Sequence, residues 1–297
     1  MPTRIQIPHG FALIQRGKAS LLVREDYKDL LLRKRVEDFQ NYLRADVRTF
    51  PPTFFHGRTP HPSIPIREGE RVVIRQYVHG GLLRALTQNL YLLGSRSFEE
   101  LAITEEIRSC GIPTLQPIAA IHQSVLGPLY RACLLTLELP DAVNLIQYLQ
   151  QFGSHPSPQK LLLKRKMARS AGLLLQRFHR SGFFHGDLQL KNILVLGDEP
   201  LLIDFDRSYR KEVLSIKERM KNLLRLNRSV EKWRRMGVPI SRTDRWRFFL
   251  AYAGEDRSIR TAMQTAIQTC AVRHLFHRCA WTIEDLVGSG QFGARGL

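Results

Sequence analysis

The run His185-Gly186-Asp187-Leu188-Gln189-Leu190-Lys191-Asn192 is followed, a few residues later, by Leu201-Leu202-Ile203-Asp204-Phe205-Asp206. Between the two runs, the apolar segment 193–196 precedes a Gly197-Asp198 turn, so residues 193–203 predict a short buried β-hairpin. Asp187 and Asn192 then lie on the loop that enters the hairpin, and Asp204 lies where the hairpin ends. The spacing therefore predicts three oxygen-bearing side chains around one point.

These three side chains suit phosphoryl transfer, in which a protein mainly positions the reactants and neutralises charge. Magnesium prefers hard oxygen ligands and takes only one or two of them from protein, so Asn192 and Asp204 are predicted to be its ligands. A carboxylate near the transferred group accepts the proton of the attacking hydroxyl, which makes Asp187 the predicted catalytic base. In the alternative, Asp187 is a turn residue and Asp204 caps a strand, but this does not explain their joint spacing.

The hydrophobic pattern changes at Pro140. Before it, the pattern predicts a hairpin at 11–24, a helix at 26–45, a hairpin at 63–77, a helix at 97–110 and strands at 115–122 and 130–139. After it, apolar residues from Leu163 to Phe178 recur at helical spacing, and residues 212–286 are mostly of helical type. We therefore expect an α+β chain with an N-terminal extension (1–50), a small β-rich lobe (51–139) and a mainly α-helical lobe (140–297).

The composition indicates a globular protein with an anionic partner. Hydrophobic residues make up 43% of the chain, which is an ordinary globular value, and no run of about 18 apolar residues predicts a membrane span. The polar start, from Met1 to Phe11, argues against a secretory signal. A net charge of +18 favours nucleic acid, an anionic membrane surface or a phosphorylated substrate. The alternative is a solvated surface that only keeps the protein soluble.

In these motifs the sequence resembles the protein-kinase-like superfamily, and the resemblance implies a bilobal fold with a small β-rich N-lobe and a mainly α-helical C-lobe. His185-Gly186-Asp187 with Asn192 resembles its catalytic loop, and Asp204-Phe205-Asp206 resembles its metal-binding motif. Gly186 stands where many protein kinases have arginine, which favours a small-molecule acceptor over a protein. Asp206 stands where glycine is usual, which argues against switching by an activation segment.

A closer resemblance, from about Gly57 to Tyr252, is to the Kdo/WaaP lipopolysaccharide kinase family, and in particular to its kinases of 3-deoxy-D-manno-octulosonic acid (Kdo). It rests on Val72-Val73-Ile74-Arg75-Gln76-Tyr77-Val78-His79-Gly80-Gly81-Leu82, Arg96-Ser97-Phe98-Glu99-Glu100, Gly111-Ile112-Pro113, Pro117-Ile118-Ala119-Ala120 and Arg225-Leu226-Asn227-Arg228-Ser229. The resemblance implies ATP and Mg²⁺ as cofactors. It also implies transfer to a Kdo hydroxyl of a Kdo–lipid A type acceptor by a peripheral protein on the cytoplasmic face of the inner membrane.

The same resemblance implies the nucleotide-binding residues. Arg75 stands where the ATP-contacting lysine of the third strand is expected, and Glu100 stands where its ion-pair partner on the helix is expected. The alternatives are a surface strand residue for Arg75 and an exposed helix residue for Glu100. Gly57 is the candidate for the phosphate-cradling loop, with a plain loop as the alternative. Glu138 and Leu139 form the expected hinge whose backbone binds adenine, with simple strand termination as the competing account.

Residues 207–247 contain fourteen Lys or Arg against four Glu or Asp. A solvated helix face is the default interpretation of such a run, and attraction to an anionic membrane leaflet is the functional one. Arg225 and Arg228 are candidates for holding a substrate phosphate or carboxylate. No nucleic-acid partner is predicted, because the chain has no recognisable nucleic-acid-binding motif and its aromatic residues are not interleaved with the charges.

Two further functions remain open at this point. The first is a kinase of the same fold that acts on another small molecule or on a protein. The second is a non-catalytic pseudokinase that binds anionic lipid. The presence of Asp187, Asn192 and Asp204 argues against the second, whereas arginine rather than lysine at position 75 favours it.

Overall fold

The computed structural model describes residues 7–44, 61–78, 89–92, 94–153 and 155–265. An antiparallel sheet of seven strands forms the first lobe, in the order β1-β2-β6-β7-β4-β3 with β5 paired to β7. The strands are β1 (Phe11–Arg16), β2 (Ala19–Arg24), β3 (Ser63–Arg67), β4 (Glu70–Gln76), β5 (Tyr91–Leu92), β6 (Pro117–Leu126) and β7 (Leu129–Leu137). Because β2 pairs with β6, the segment 1–50, predicted as an N-terminal extension, contributes β1 and β2 to this sheet.

Each face of the sheet carries its own buried cluster, since successive side chains of a strand point to opposite faces. On one face, Leu21 and Val23 of β2 pack in a cluster with residues of the helices α1 (Lys28–Arg33) and α2 (Phe39–Arg44). Leu22 belongs to the cluster on the other face. The prediction of a single helix over 26–45 is wrong. Arg35 has a φ of 51°, and this left-handed conformation divides the region into the separate helices α1 and α2.

The helix α3 (Arg96–Ser109) connects the two lobes. Phe98 and Leu101, in its first half, pack against the sheet, whereas Ile107 near its end lies in the core of the second lobe. Just after the helix, the carbonyl of Pro113 accepts a hydrogen bond of 3.1 Å from the Leu202 N–H. The position of α3 is therefore coupled to the hairpin that precedes Asp204.

Within the described residues the second lobe is mainly helical, as predicted, and positions 266–286 of the predicted helical region lie outside them. Its helices are α4 (Leu145–Gln150), α5 (Pro158–Arg180), α6 (Ile216–Arg235) and α7 (Arg242–Ala253), and residues 257–265 are also helical. The helices α5 and α7 pack closely at Gly172, where a Cβ atom would lie 2.6 Å from the Phe248 carbonyl oxygen. No helix in the described ranges is both long and apolar enough to cross a membrane.

The predicted hairpin is confirmed. Short strands β8 (Val143–Asn144), β9 (Phe183–Phe184), β10 (Ile193–Leu196), β11 (Glu199–Leu202) and β12 (Tyr209–Arg210) complete the second lobe. In the hairpin, β10 pairs with β11 so that Ile193 lies opposite Leu202, and β8 adds a third strand. Its side chains Ile193, Val195 and Leu202 are buried in the core of the lobe. This core anchors the loop before β10 and the residues after β11 on one rigid element.

Candidate active site

His185 joins the two ends of the candidate site. Its ring is fully buried, and its Nε2 atom lies 3.1 Å from the carbonyl oxygen of Ile203, the residue before Asp204. Its Nδ1 atom accepts a hydrogen bond of 3.0 Å from the Asp187 N–H. Burial lowers the pKa of His185 to about 4, so at neutral pH the uncharged ring donates from one nitrogen and accepts at the other. The backbones of Asp187 and Asp204 are thereby held together.

Asn192 strengthens the same connection. Its side-chain Nδ2 atom donates to the backbone carbonyl oxygen of Asp187 at 2.8 Å, and its backbone carbonyl oxygen accepts from the Ile203 N–H at 3.0 Å. Asp204 then follows with a φ of 66°, a conformation that is uncommon outside glycine and occurs preferentially at functional sites. The structure therefore brings together the three side chains that the spacing placed around one point.

Gly186 is required by close packing of the backbone. A Cβ atom at this position would lie 2.3 Å from the carbonyl oxygen of Asp206 and 2.9 Å from the carbonyl carbon of Arg207. The Gly186 N–H also donates to the Ser208 hydroxyl at 3.0 Å. The segment after Asp204 therefore lies directly against the catalytic-loop motif, and any side chain at position 186, arginine included, would displace it.

Arg75 connects the two lobes. It lies on β4, its Nη1 atom is 2.9 Å from Asp204 Oδ1, and its Nη2 atom forms an ion pair with Glu100 of α3. The Tyr77 hydroxyl donates to the same Glu100 carboxylate. Only 3% of the Glu100 side chain and 27% of the Arg75 side chain are exposed, so neither is the surface residue of the alternative interpretation.

Burial and charge act in opposite directions on this pair. Burial raises the pKa of Glu100, and the neighbouring Arg75 offsets only part of that effect. Burial lowers the pKa of Arg75, but the charge of Glu100, with Tyr77 and Asp204, outweighs it and raises the pKa overall. His61, just before β3, also belongs to this cluster: burial and the charge of Arg75 lower its pKa to about 4, so it is uncharged at neutral pH.

Asp187 is surrounded by donors. Arg225 contacts its Oδ1 atom through Nε at 2.8 Å and through Nη2, the Gln189 amide donates to the same oxygen, and Lys191 Nζ lies 3.7 Å from Oδ2. Burial alone raises the pKa of Asp187. Hydrogen bonds from Gln189 and Arg225, with the positive charges of Arg225 and Lys191, outweigh burial and lower the pKa overall. Arg225, predicted to hold substrate, therefore contacts the predicted base directly. Gln189 and Lys191 were not predicted as site residues.

The helix α6 supports the loop from one face. Asn222 accepts from the His185 N–H at 3.0 Å and donates to the His185 carbonyl at 2.9 Å, and Ser229 accepts from the Leu190 N–H at 3.2 Å. Asn222, Arg225 and Ser229 are spaced by three and four residues, so they share one helix face. Neither Asn222 nor Ser229 was predicted for this role. The available signal was two polar residues at helical spacing on either side of Arg225.

The Arg225 contact leads to a pH prediction. We expect Arg225→Gln to move the acid limb of the kcat/KM profile to higher pH, because the variant loses the cation that lowers the pKa of Asp187. A carboxylate with a lowered pKa is active above that pKa and loses activity as pH falls through it. The profile is measured between pH 4 and 8. The control is Arg234→Gln, an exposed arginine of the same helix that pairs with Glu231. An acid limb shared by both variants and the wild type would contradict the assignment.

The predicted hinge follows the end of β7. The Glu138 N–H donates to the Arg71 carbonyl at 2.9 Å, and the Leu139 carbonyl accepts from the Ala142 N–H at 3.1 Å. The Glu138 side chain is buried and accepts hydrogen bonds from Ser63 and, at 3.2 Å, from Arg71 Nε. The strand therefore ends here, and two of the four backbone groups of Glu138 and Leu139 already have partners within the chain, while the adenine-binding hinge stays a prediction.

The remaining two predicted residues are Gly57 and Arg228. Gly57 lies outside the described residues, as do positions 79–82 of the family signature. Arg228 is exposed on α6, one turn beyond Arg225.

The donor set suits a magnesium ion. Asn192 offers an amide oxygen and Asp204 a carboxylate, which are the hard oxygen ligands that magnesium prefers. Asp204 Oδ1 already faces Arg75, so its Oδ2 atom is the better placed ligand. Among the described residues, no three His, Cys, Asp or Glu side chains are gathered into a ligand set. A magnesium ion here would therefore take most of its remaining ligands from phosphate and water.

Comparison with known proteins places the sequence in a family. The model of the lipopolysaccharide kinase (Kdo/WaaP) family matches residues 66–252, more than half of the chain. This chain belongs to that family. A 3-deoxy-D-manno-octulosonic acid kinase of Xanthomonas oryzae pv. oryzae is 34% identical over 213 residues, which cover 67% of this chain and 80% of that protein. One from Vibrio cholerae serotype O1 is 35% identical over 164 residues, covering 54% of this chain and 65% of that protein.

A solved structure shows the same fold. The structure of WaaP in complex with acyl carrier protein matches with a TM-score of 0.53 at 16% sequence identity, covering 84% of this chain and 98% of that one. The predicted α+β bilobal, protein-kinase-like fold is confirmed, and so is the predicted family. As a member of the lipopolysaccharide kinase (Kdo/WaaP) family, the protein is a phosphotransferase.

Proposed function

We propose that this member of the Kdo/WaaP family transfers the γ-phosphoryl group of ATP to a hydroxyl of Kdo on a lipid-linked acceptor. The observation that carries the proposal is the convergence of Asp187, Asn192 and Asp204 from one lobe with Arg75 and Glu100 from the other. The Kdo acceptor is supported by relatives with about one third identity that are named as kinases of this sugar.

The proposed roles follow from the contacts. Asp187 accepts the proton of the attacking hydroxyl, since its lowered pKa keeps it deprotonated at neutral pH. Asn192 and Asp204 hold Mg²⁺, which neutralises charge on the phosphate groups when bound. Arg75, oriented by Glu100, contacts ATP phosphate through its planar guanidinium, as arginine does at bidentate phosphate sites. The Glu138 carbonyl and the Leu139 N–H are the hinge groups proposed to bind adenine.

The acceptor is proposed to lie on the Arg225 side of Asp187. Kdo is an acidic sugar, and Arg225 and Lys191 place two positive charges beside the base. The exposed Arg228 is one helical turn further on, where a guanidinium can bind a carboxylate or phosphate bidentately. Arg225 would then have two functions, to lower the pKa of Asp187 and to orient the acidic acceptor.

The surface of α6 supports a position at an anionic membrane. Five of its exposed basic residues share one face of the helix, because their spacings of four, seven, four and three residues bring them within about 60° of each other. They are Lys217, Lys221, Arg228, Lys232 and Arg235. Each basic residue near such a surface contributes about 1 kcal/mol of attraction. We propose that this stripe orients the protein on the cytoplasmic face of the inner membrane, beside its lipid acceptor.

The test is transfer of label from γ-labelled ATP, with magnesium, to Kdo–lipid IVA, using lipid IVA without Kdo as the matched acceptor. We expect label on the Kdo-bearing lipid only. Label on both lipids, or on neither, would contradict Kdo as the acceptor. The same assay in anionic and in zwitterionic vesicles tests the membrane proposal: we expect faster transfer on anionic vesicles and loss of that advantage at high salt. Equal rates on both would contradict it.

A further inference from the structure

Asp206 makes a second connection between the lobes. It follows Asp204 and Phe205 at the position where the metal-binding motif of protein kinases has glycine, and it is held by Arg96, the first residue of α3. The Arg96 guanidinium contacts both carboxylate oxygens, through Nε at 3.1 Å from Oδ1 and through Nη2 to Oδ2. Such a bidentate pair restricts orientation as well as distance.

Arg96 is itself supported by aromatic rings. Its guanidinium carbon lies 4.9 Å from the centre of the Tyr91 ring and 5.9 Å from that of Tyr77, within the range of cation–π attraction. The Arg96 and Asp206 side chains are 24% and 27% exposed. The pair is therefore partly shielded from solvent and differs from the freely exposed ion pairs of the surface, which stabilise little.

The two connections reach the same segment from the same helix. Arg96 and Glu100 are four residues apart on α3, so they lie on one face. Asp204 and Asp206 flank Phe205, whose ring is 1% exposed and belongs to the core of the second lobe. Apolar packing already holds α3 between the two cores. The direct contact of Arg96 with Asp206 and the indirect one of Glu100 with Asp204, through Arg75, further define how the helix lies against this segment.

We infer that Arg96 and Asp206 are positioning residues for phosphoryl transfer. Their ion pair holds α3 in the orientation in which Glu100 meets Arg75 and Arg75 meets Asp204. The carboxylate that replaces the usual glycine thus keeps the nucleotide site assembled without a switching step. This inference rests on the proposed ATP-dependent transfer, because Arg75 and Asp204 act on ATP and Mg²⁺ only under that proposal.

The experiment compares Arg96→Gln, Asp206→Asn and the double variant. Arg108→Gln is the control, because Arg108 lies on the same helix and pairs with Glu105. We expect each single variant to lower kcat/KM for ATP about tenfold. The double variant should have a kcat/KM no lower than that of the less active single variant, since both changes remove the same interaction. Asp206→Asn keeps Arg96 on the tyrosine rings, so an effect shared by both single variants cannot come from lost stacking.

Two outcomes would overturn the inference. If the losses multiply in the double variant, the two residues act separately. If Asp206→Asn raises the magnesium concentration needed for half-maximal rate while Arg96→Gln does not, Asp206 binds metal and is not a positioning residue.

Amide hydrogen exchange of α3 gives a readout that needs no acceptor. We expect faster exchange over residues 96–109 in Arg96→Gln and in Asp206→Asn than in the wild type or Arg108→Gln. If both single variants exchange faster but no protein, wild type included, transfers phosphate, the ion pair still positions α3 and the proposed function is rejected. Unchanged exchange in both single variants would reject the positioning role of the ion pair, whatever the activity.

Discussion

The variant Asp187→Ala is expected to transfer phosphate at a rate lowered by about 10²- to 10⁴-fold, the usual contribution of a positioned general base. The Asp187 side chain is 29% exposed, and its partner Arg225 is 43% exposed. Water can therefore solvate Arg225 when the carboxylate is removed, and the melting temperature should change little. We propose to measure kcat with saturating ATP and acceptor, together with thermal unfolding.

The matched control for this change is Asp198→Ala. Asp198 lies in the turn of the hairpin that follows the loop of Asp187, and its carboxylate forms an exposed ion pair of 2.9 Å with Lys166. Exposed pairs of this kind contribute little, so this variant should keep wild-type activity and stability. If Asp187→Ala retains wild-type kcat, Asp187 is not the base. If it loses activity only because it unfolds, thermal unfolding will show it.

The second large effect is expected from Arg75→Met, which should lose transfer and destabilise the fold by about 3 kcal/mol. The change leaves the Glu100 carboxylate, 3% exposed, without its cation, and a buried unpaired charge is costly. Methionine retains the unbranched shape of the stem, so the loss of charge dominates over the loss of packing. The free energy of unfolding is measured by denaturant titration and kcat by label transfer.

Pairing this change with Glu100→Gln separates the two functions of Arg75. In the double variant Arg75→Met/Glu100→Gln, no charge is buried alone, so most of the lost stability should return. Transfer should not return, because the guanidinium proposed to contact phosphate is still missing. Recovery of both would show that Arg75 acts only through the fold, and recovery of neither would show that packing, rather than charge, causes the loss.

The loss of stability in Arg75→Met should also depend on pH. Burial already raises the pKa of Glu100 in the wild type, and without Arg75 the pKa must rise further above its value in the unfolded chain. A carboxyl group with a raised pKa in the folded state destabilises the protein at neutral pH and ceases to do so as pH falls through that pKa. The stability difference between wild type and Arg75→Met should therefore shrink on acidification. A constant difference from pH 7 to pH 4.5 would contradict this account.

The local part of the site was predictable because one short hairpin generates it. Asp187, Asn192 and Asp204 fall within one segment, and a short run of apolar residues places its strands β10 and β11 in the core, so the spacing along the chain determines the spacing in space. The helices predicted from apolar periodicity also form. The helix predicted over 26–45 is interrupted at Arg35, where no glycine or proline marks the left-handed residue.

Arg75, Glu100 and Arg225 illustrate the intermediate case. Family resemblance placed Arg75 and Glu100 at corresponding positions, but their pairing joins a strand to a helix of the same lobe and could not be read from the spacing between them. Arg225 belongs to a run of basic residues along α6, and charge alone does not distinguish the member that faces the loop from those that face solvent. Only the rotation of α6 against the loop, set by Asn222 and Ser229, selects Arg225 as the partner of Asp187.

The sequence by itself determined the positions of Asp187, Asn192 and Asp204 around the hairpin and the composition of the lobes, because both depend on spacing and apolar periodicity within short segments. Only the tertiary structure decided which charges meet. Arg96 and Asp206 are 110 residues apart, and no sequence pattern around either residue indicates that it pairs with the other. Their contact exists because buried apolar side chains set how α3 and Phe205 pack, and that packing then determines which charged groups lie within hydrogen-bonding distance.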